Sequence, residues 1–233
     1  MIKKVTKTFS ERALDFYSRI QTPNLTRFSV KIINPFQNEN SREYVKRFYK
    51  KFYSDSRKRI FVFGINPGRF GSGITGVPFT DPVALEKYCG IGNDLQKRKE
   101  MSSEFVYKCI SAFGGSEKFF GQFYLTALSP VGFTKRGTNY NYYDDPDFLK
   151  CTRPFLVASI KDQIGFGADM NAVIIFGSGK NSKVFEDINK EHGFFHNIYV
   201  LEHPRYVMQY KRKDIVKYIS KYMDTFERAL RLK

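Results

Sequence analysis

The run Gly64-Ile-Asn-Pro-Gly-Arg-Phe-Gly-Ser-Gly-Ile-Thr-Gly-Val-Pro-Phe79 constrains this chain more than any other segment. It packs five glycines, two prolines and one asparagine into sixteen residues. Glycine costs entropy in a helix or strand, and proline lacks the N–H that either would use. Directly before it stands Arg59-Ile-Phe-Val-Phe63, short, aromatic and β-branched, which reads as a buried strand. A shaped loop at the carboxyl end of a strand is where α/β sheets place their ligands. The run is therefore read as a binding site.

At 233 residues the chain has the length of one ordinary domain. We expect a single domain over 1–233, with 1–55 as an N-terminal helical segment. A hydrophobic fraction of 42% and an aromatic fraction of 17% are ample for a core and exclude a disordered chain. Lys plus Arg number 39 against 23 acids, a net charge of +16, which points to a polyanionic partner, above all nucleic acid; the plainer alternative is a surplus for solubility. No run approaches the ~20 apolar residues of a membrane span, so no membrane partner is expected. The start, Met1 to Lys7, lacks the apolar stretch of a signal peptide, so a cytoplasmic protein is expected; a monomer is expected on DNA. Cys89, Cys109 and Cys151 are widely spaced with no C-x-x-C pair, so neither zinc nor an iron–sulfur cluster is suggested and reduced thiols are expected.

Three further apolar runs follow the first: Phe123 to Leu128, Ala172 to Phe176 and Asn197 to Leu201. They stop at Ser-Pro-Val-Gly, Gly-Ser-Gly and Glu-His-Pro. Helical spacing marks about 7–20, 41–53, 103–113, 154–164 with Pro154 near its start, 182–191 and 210–231. Strands alternating with helices predict an α/β fold, a three-layer α/β/α sandwich around a mostly parallel four-stranded sheet.

Within the loop, Asn66 is a poor general base, but its carboxamide can accept one hydrogen bond and donate another, which suits holding a water. Capping a turn before Pro and Gly is the alternative. Pro67 keeps Asn66 extended, while Gly64 and Gly68 let backbone amides approach a ligand closely. Phe79 is either core filler or the flat floor on which a planar ring stacks. His203 follows the last strand, at the same sheet edge; neutral, it can donate to an oxygen gaining negative charge, or it can simply bond to backbone. Basic and aromatic residues alternate after it, with Arg205, Tyr206, Lys211, Arg212 and Lys213 as candidates for phosphate contact and insertion into a duplex. In Lys135–Asp145, Asn139 and Asn141 can read the edge of a base and Tyr140 can stack, unless the segment is only a surface loop. There is no G-x-x-x-x-G-K-[ST], no H-E-x-x-H, no nucleophile elbow and no evident Asp general base at these strand ends.

Gly64 through Phe79, taken with His203-Pro204, resembles the uracil-DNA glycosylase superfamily, and most of all its single-strand-selective monofunctional branch. Thr75-Gly-Val-Pro-Phe79 and a His in the second motif favour that branch over the mismatch-specific one. The resemblance implies a monofunctional glycosylase of base excision repair that flips a damaged base into the pocket and hydrolyses its N-glycosidic bond. It implies stacking on Phe79, backbone amides of Gly64 and Ile65 holding base carbonyls, water placed by Asn66, and leaving-group charge stabilised by His203. It implies no metal, no cofactor and no lysine nucleophile.

Two departures stand out. Where the family carries an Asn that reads the uracil edge, this chain has Ala127, so Asn139 or Asn141 is expected to supply that contact. The second motif continues as Arg205-Tyr-Val-Met, so the duplex wedge is expected to differ. A divergent subfamily acting on uracil or a related deaminated or oxidised base is the leading reading. The alternatives are a nucleic-acid-binding protein of the same fold with altered catalysis, and a small-molecule hydrolase or transferase using the loop for a phosphate.

Overall fold

The computed structural model describes residues 7–233. Residues 1–6, on which the export reading mainly rests, lie outside the described residues. In chain order the elements are α1 (Phe9–Ser18), β1 (Lys31–Ile33), α2 (Glu39–Phe52), β2 (Arg59–Gly64), α3 (Ser72–Thr75), α4 (Pro82–Lys87), α5 (Met101–Phe113), α6 (Ser116–Gln122), β3 (Phe123–Ala127), β4 (Gly132–Lys135), β5 (Thr138–Tyr140), α7 (Pro146–Ile164), β6 (Ala168–Phe176), α8 (Lys180–His192), β7 (Asn197–Leu201), α9 (Pro204–Tyr210) and α10 (Ile215–Leu230). Short 3₁₀ turns occupy Thr26–Phe28, Pro35–Gln37 and Arg212–Asp214.

The central sheet is parallel throughout, in the order β3-β2-β6-β7. Every residue of β2 is buried, as expected of a strand covered on both faces. Gly64 pairs with Ala127 and Phe176 with Leu201, so these strands end at one edge. The chain leaves β2 for β3 on one side and returns to β6 on the other, which puts a topological switch point over the carboxyl end of β2. That crevice is where the glycine-rich loop emerges.

Several elements begin with the same local device. Asp81, Asp145 and His203 each accept a backbone N–H at a helix start, and each is followed by Pro in the first turn. Asp145-Pro146 therefore starts α7, and Pro154 lies in its interior rather than near its start. Phe148, Thr152, Leu156, Ile160 and Gln163 bury one face and carry the helix through the missing N–H. The expected helix over 210–231 begins only at Ile215: Tyr210 closes the separate α9, and Arg212–Asp214 form a 3₁₀ turn.

Lys135–Asp145 is not a free loop. Antiparallel β4 and β5 form a hairpin, and β1 adds to it by pairing Ile33 with Gly132. The segment 1–55 thus carries a strand as well as helices within its described part. This second sheet rests on the glycine-rich loop, where a Cβ on Gly132 would run into the carbonyl of Pro67. The Tyr140 ring lies against Phe148 at 5.3 Å and is taken up by packing rather than by the cavity.

The N-terminal helices are tied to the sheet by three buried hydroxyls. Tyr17, Tyr49 and Tyr124 lie 2.7–3.0 Å apart. At the start of β2, fully buried Arg59 bonds both oxygens of Asp55 at 2.9 and 3.0 Å and the Phe120 carbonyl at 2.8 Å. Its guanidinium also lies over the rings of Phe9 and Tyr53.

Candidate active site

A cavity of about 760 Å³ opens over the ends of β2 and β3. Gly64, Ile65, Asn66, Gly68, Phe79, Ala127, Asn139, Asn141, His203 and Arg205 all line it. The sequence places these residues in four separate segments; the sheet edge brings them together. Tyr206, Lys211, Arg212 and Lys213 do not line the cavity. They sit on α9 and the turn after it, with Tyr206 43% exposed and Tyr210 64% exposed.

The floor is set by close approach. A Cβ on Gly64 would stand 2.5 Å from Cζ of Phe79, so only glycine lets this ring lie against the end of β2. Phe79 itself has φ +53°, a left-handed conformation that a bulky side chain rarely adopts. Its ring meets Phe176 edge-on at 5.4 Å and the His203 ring at 5.9 Å, and it remains half-buried in the cavity wall. Beyond β2, the carbonyls of Gly64 and Ile65 accept the N–H groups of Leu128 and Ser129 at 3.1 Å, which prolongs the parallel pairing and holds Ile65.

Asn66 donates through Nδ2 to the Pro67 carbonyl at 3.3 Å. Its Oδ1 is buried and has no hydrogen-bond partner among the described residues. A buried acceptor left unpaired is costly, so the carboxamide is held by its surroundings with one face reserved for a donor.

His203 caps α9, and its Nδ1 accepts the Arg205 N–H at 3.2 Å. A backbone N–H can only donate, so a neutral ring carries its proton on Nε2. Burial, with the Arg205 charge alongside, lowers its pKa to about 4. The ring is thus a neutral donor at physiological pH.

Asn139 accepts the Arg69 N–H through Oδ1 at 3.2 Å, tying the β4–β5 hairpin to the glycine-rich loop. Asn141 is engaged with Asp144, through its N–H at 2.8 Å and its carboxamide at 3.4 Å. At the rim, Phe70 packs under the guanidinium groups of Arg69 and Arg98, 4.4 and 3.7 Å from its centroid.

One acidic residue of the site escaped the sequence reading. Glu100, just before α5, lines the cavity and crowds Gly71 so closely that no Cβ fits there. It lies in an irregular stretch with no periodicity to mark it, and only the tertiary fold brings it under the loop. Burial raises its pKa; Ser102 opposes this, Asp81 adds to it, and Arg205 opposes it.

A family model described as the uracil DNA glycosylase superfamily matches residues 50–227. The chain belongs to this superfamily. Within it, the chain is similar to wild-type SMUG2 of Pedobacter heparinus, whose crystal structure it matches at 39% sequence identity and a TM-score of 0.92, over 95% of this chain and 98% of that one. No curated protein sequence matches. The superfamily match spans both motifs, the one after β2 and the one after β7, and the three-layer α/β/α architecture agrees with the SMUG2 structure. No helix of the described residues is long and apolar enough to cross a membrane, and no group of three or more His, Cys, Asp or Glu among them could hold a metal ion.

Proposed function

We propose that the protein is a monofunctional DNA glycosylase that flips uracil, or a related deaminated or oxidised base, into this cavity and hydrolyses its N-glycosidic bond in base excision repair. The observation that carries the reading is the convergence of Asn66, Phe79 and His203 on one cavity at the sheet edge.

The flipped base stacks on Phe79, whose ring is fixed by Gly64 beneath it. Backbone N–H groups at Gly64 and Ile65, which line the cavity, hold its carbonyls. As the C1′–N bond lengthens, its electron pair leaves with the base and negative charge gathers on a base carbonyl oxygen. Nε2–H of neutral His203 donates to that oxygen, a stabilisation worth most where water is excluded. Asn66 Oδ1 accepts from a water and directs its oxygen at the sugar carbon that has become cationic. The water oxygen bonds to C1′ and its proton ends on the departing base. This scheme calls on no metal, no cofactor and no lysine nucleophile, so strand cleavage does not follow.

The +16 charge and the basic, aromatic surface from Arg205 to Lys213 suit a monomer on DNA. Access to DNA in the cytoplasm fits this reading. Incubation with a uracil-containing oligonucleotide followed by alkali tests it: cleavage at the uracil position is expected. If none of uracil, xanthine or hypoxanthine is released, the reading fails for those bases. Ala127, which offers the cavity only a methyl, favours one second reading, a nucleic-acid-binding protein of this fold with altered catalysis. Salt-dependent binding without base release would identify it.

A further inference from the structure

Resting on the glycosylase reading, we propose that Glu100 is a specificity-determining residue whose carboxylate accepts the ring N–H of a deaminated base. Uracil carries N3–H and hypoxanthine N1–H where cytosine and adenine present a bare nitrogen lone pair. A carboxylate only accepts hydrogen bonds. It pairs with the N–H and repels the lone pair, so it separates a deaminated base from its parent without touching the exocyclic group.

The geometry places Glu100 for this. Its Oε1 lies 3.2 Å from where a Cβ of Gly68 would stand, and Asn139 Nδ2 lies 3.4 Å from the same point. A carboxylate from one wall and a carboxamide from the other thus bracket the loop two residues beyond Asn66. Asp81 Oδ2 accepts the Glu100 N–H at 2.8 Å while its Oδ1 caps α4, so the backbone that carries the carboxylate is fixed. Ala127 supplies no polar group from the end of β3.

The electrostatics make a purely structural role costly. Glu100 lines the cavity half-buried, and among the described residues it makes no ion pair within 4.0 Å. A partly buried carboxylate with no cation paired to it is costly, and such groups gather at functional sites. It also stands in a cavity that must receive a polyanion. Facing it are Asp81 from the start of α4, Ser102 of α5 and Arg205 of α9, with Arg69, Arg98, Lys99 and His203 around the same cavity. Burial and Asp81 favour the protonated form, so uracil excision falls as pH drops through the raised pKa, above the range where His203 titrates.

The test is single-turnover excision of uracil from a single-stranded oligonucleotide across pH, with wild-type protein and a Glu100→Gln variant of matched melting temperature. Gln keeps the shape and an acceptor but loses the charge and the titration. We expect a rate roughly tenfold to a hundredfold lower at neutral pH, and an acid limb displaced down toward about 4, the range of His203. A variant with the wild-type rate overturns the inference. A slower variant with an unmoved acid limb overturns it too, since scaffolding alone would do that. If Glu100→Gln does not fold, Glu100→Ala takes its place in the same assay: a slower rate with the acid limb shifted down supports the inference, and a wild-type rate or an unmoved limb overturns it. Wild-type protein that releases no deaminated base defeats the glycosylase reading, and this inference with it.

Discussion

The N–H of Arg205 donates to Nδ1 of His203 at 3.2 Å, and this contact settles which ring nitrogen carries the proton. The neutral ring turns Nε2–H outward as a donor, and burial keeps it neutral down to about pH 4. Replacing His203 with Ala should lower uracil excision about 100- to 1,000-fold, the usual cost of one donor to a developing oxyanion. Affinity for uracil-containing DNA should change little, which a fluorescence anisotropy titration checks. The sign of the pH effect follows. An unfolded His takes its proton near 6.5, the folded one only near 4, so His203 costs stability as pH falls between them and leaves activity untouched through neutrality. Imidazole ¹⁵N shifts should report a midpoint near 4.

Asn66 is the second group of the proposed mechanism, and its free acceptor defines what to expect. Asn66→Ala should lower single-turnover excision by at least about 100-fold through loss of water placement. Binding of the same oligonucleotide should persist; equal loss of both would mean that the loop has collapsed.

The Gly64–Phe79 contact is steric. In Gly64→Ala the new methyl meets the Phe79 ring at 2.5 Å, so the ring must leave the floor. Excision should fall while the sheet stays folded, since β2 itself has room in its ladder. A crystal structure of the variant with an unmoved Phe79 ring would refute this account.

Lys211, Arg212 and Lys213 lie outside the cavity, on the turn between α9 and α10. Changing all three to Ala should weaken DNA binding for every sequence alike. The slope of log K against log salt should shrink by roughly 0.7–0.9 per lost phosphate contact. The excision rate at saturating enzyme should be retained.

Arg59 and Asp55 predict stability rather than activity. Burial would raise the Asp55 carboxyl, but hydrogen bonds from Arg59 and Arg57 outweigh it and hold it well below the usual carboxylate range. Its stabilising share is present above an unfolded carboxyl's pKa of about 3.9 and is lost as pH falls toward the folded value. Asp55→Ala leaves the Arg59 charge buried and should cost about 3–5 kcal/mol in a denaturant titration.

Much of this was legible in the chain, and the reason is local. The four strands of the central sheet were visible because buried parallel strands are short continuous apolar runs, and each ends in or runs within three residues into glycine or proline. The α7 start was missed because Pro154 drew the boundary away from Asp145-Pro146, the actual cap. The β4–β5 hairpin was missed because Asn and Tyr in Lys135–Asp145 read as loop residues, whereas Asn139 and Tyr140 pair with β4, whose other edge is held by β1 about a hundred positions earlier.

By itself the sequence determined the strand ends and what stands on them: the Gly64–Phe79 loop, Asn66 and His203. Backbone rules at glycine and proline act within a few residues, so they can be read along the chain. Only the tertiary structure decided that Gly64 seats Phe79, that burial holds His203 neutral, and that Glu100 enters the cavity beneath Gly68 and Gly71. Those outcomes depend on distances between segments far apart in the chain, and on burial that no single segment creates.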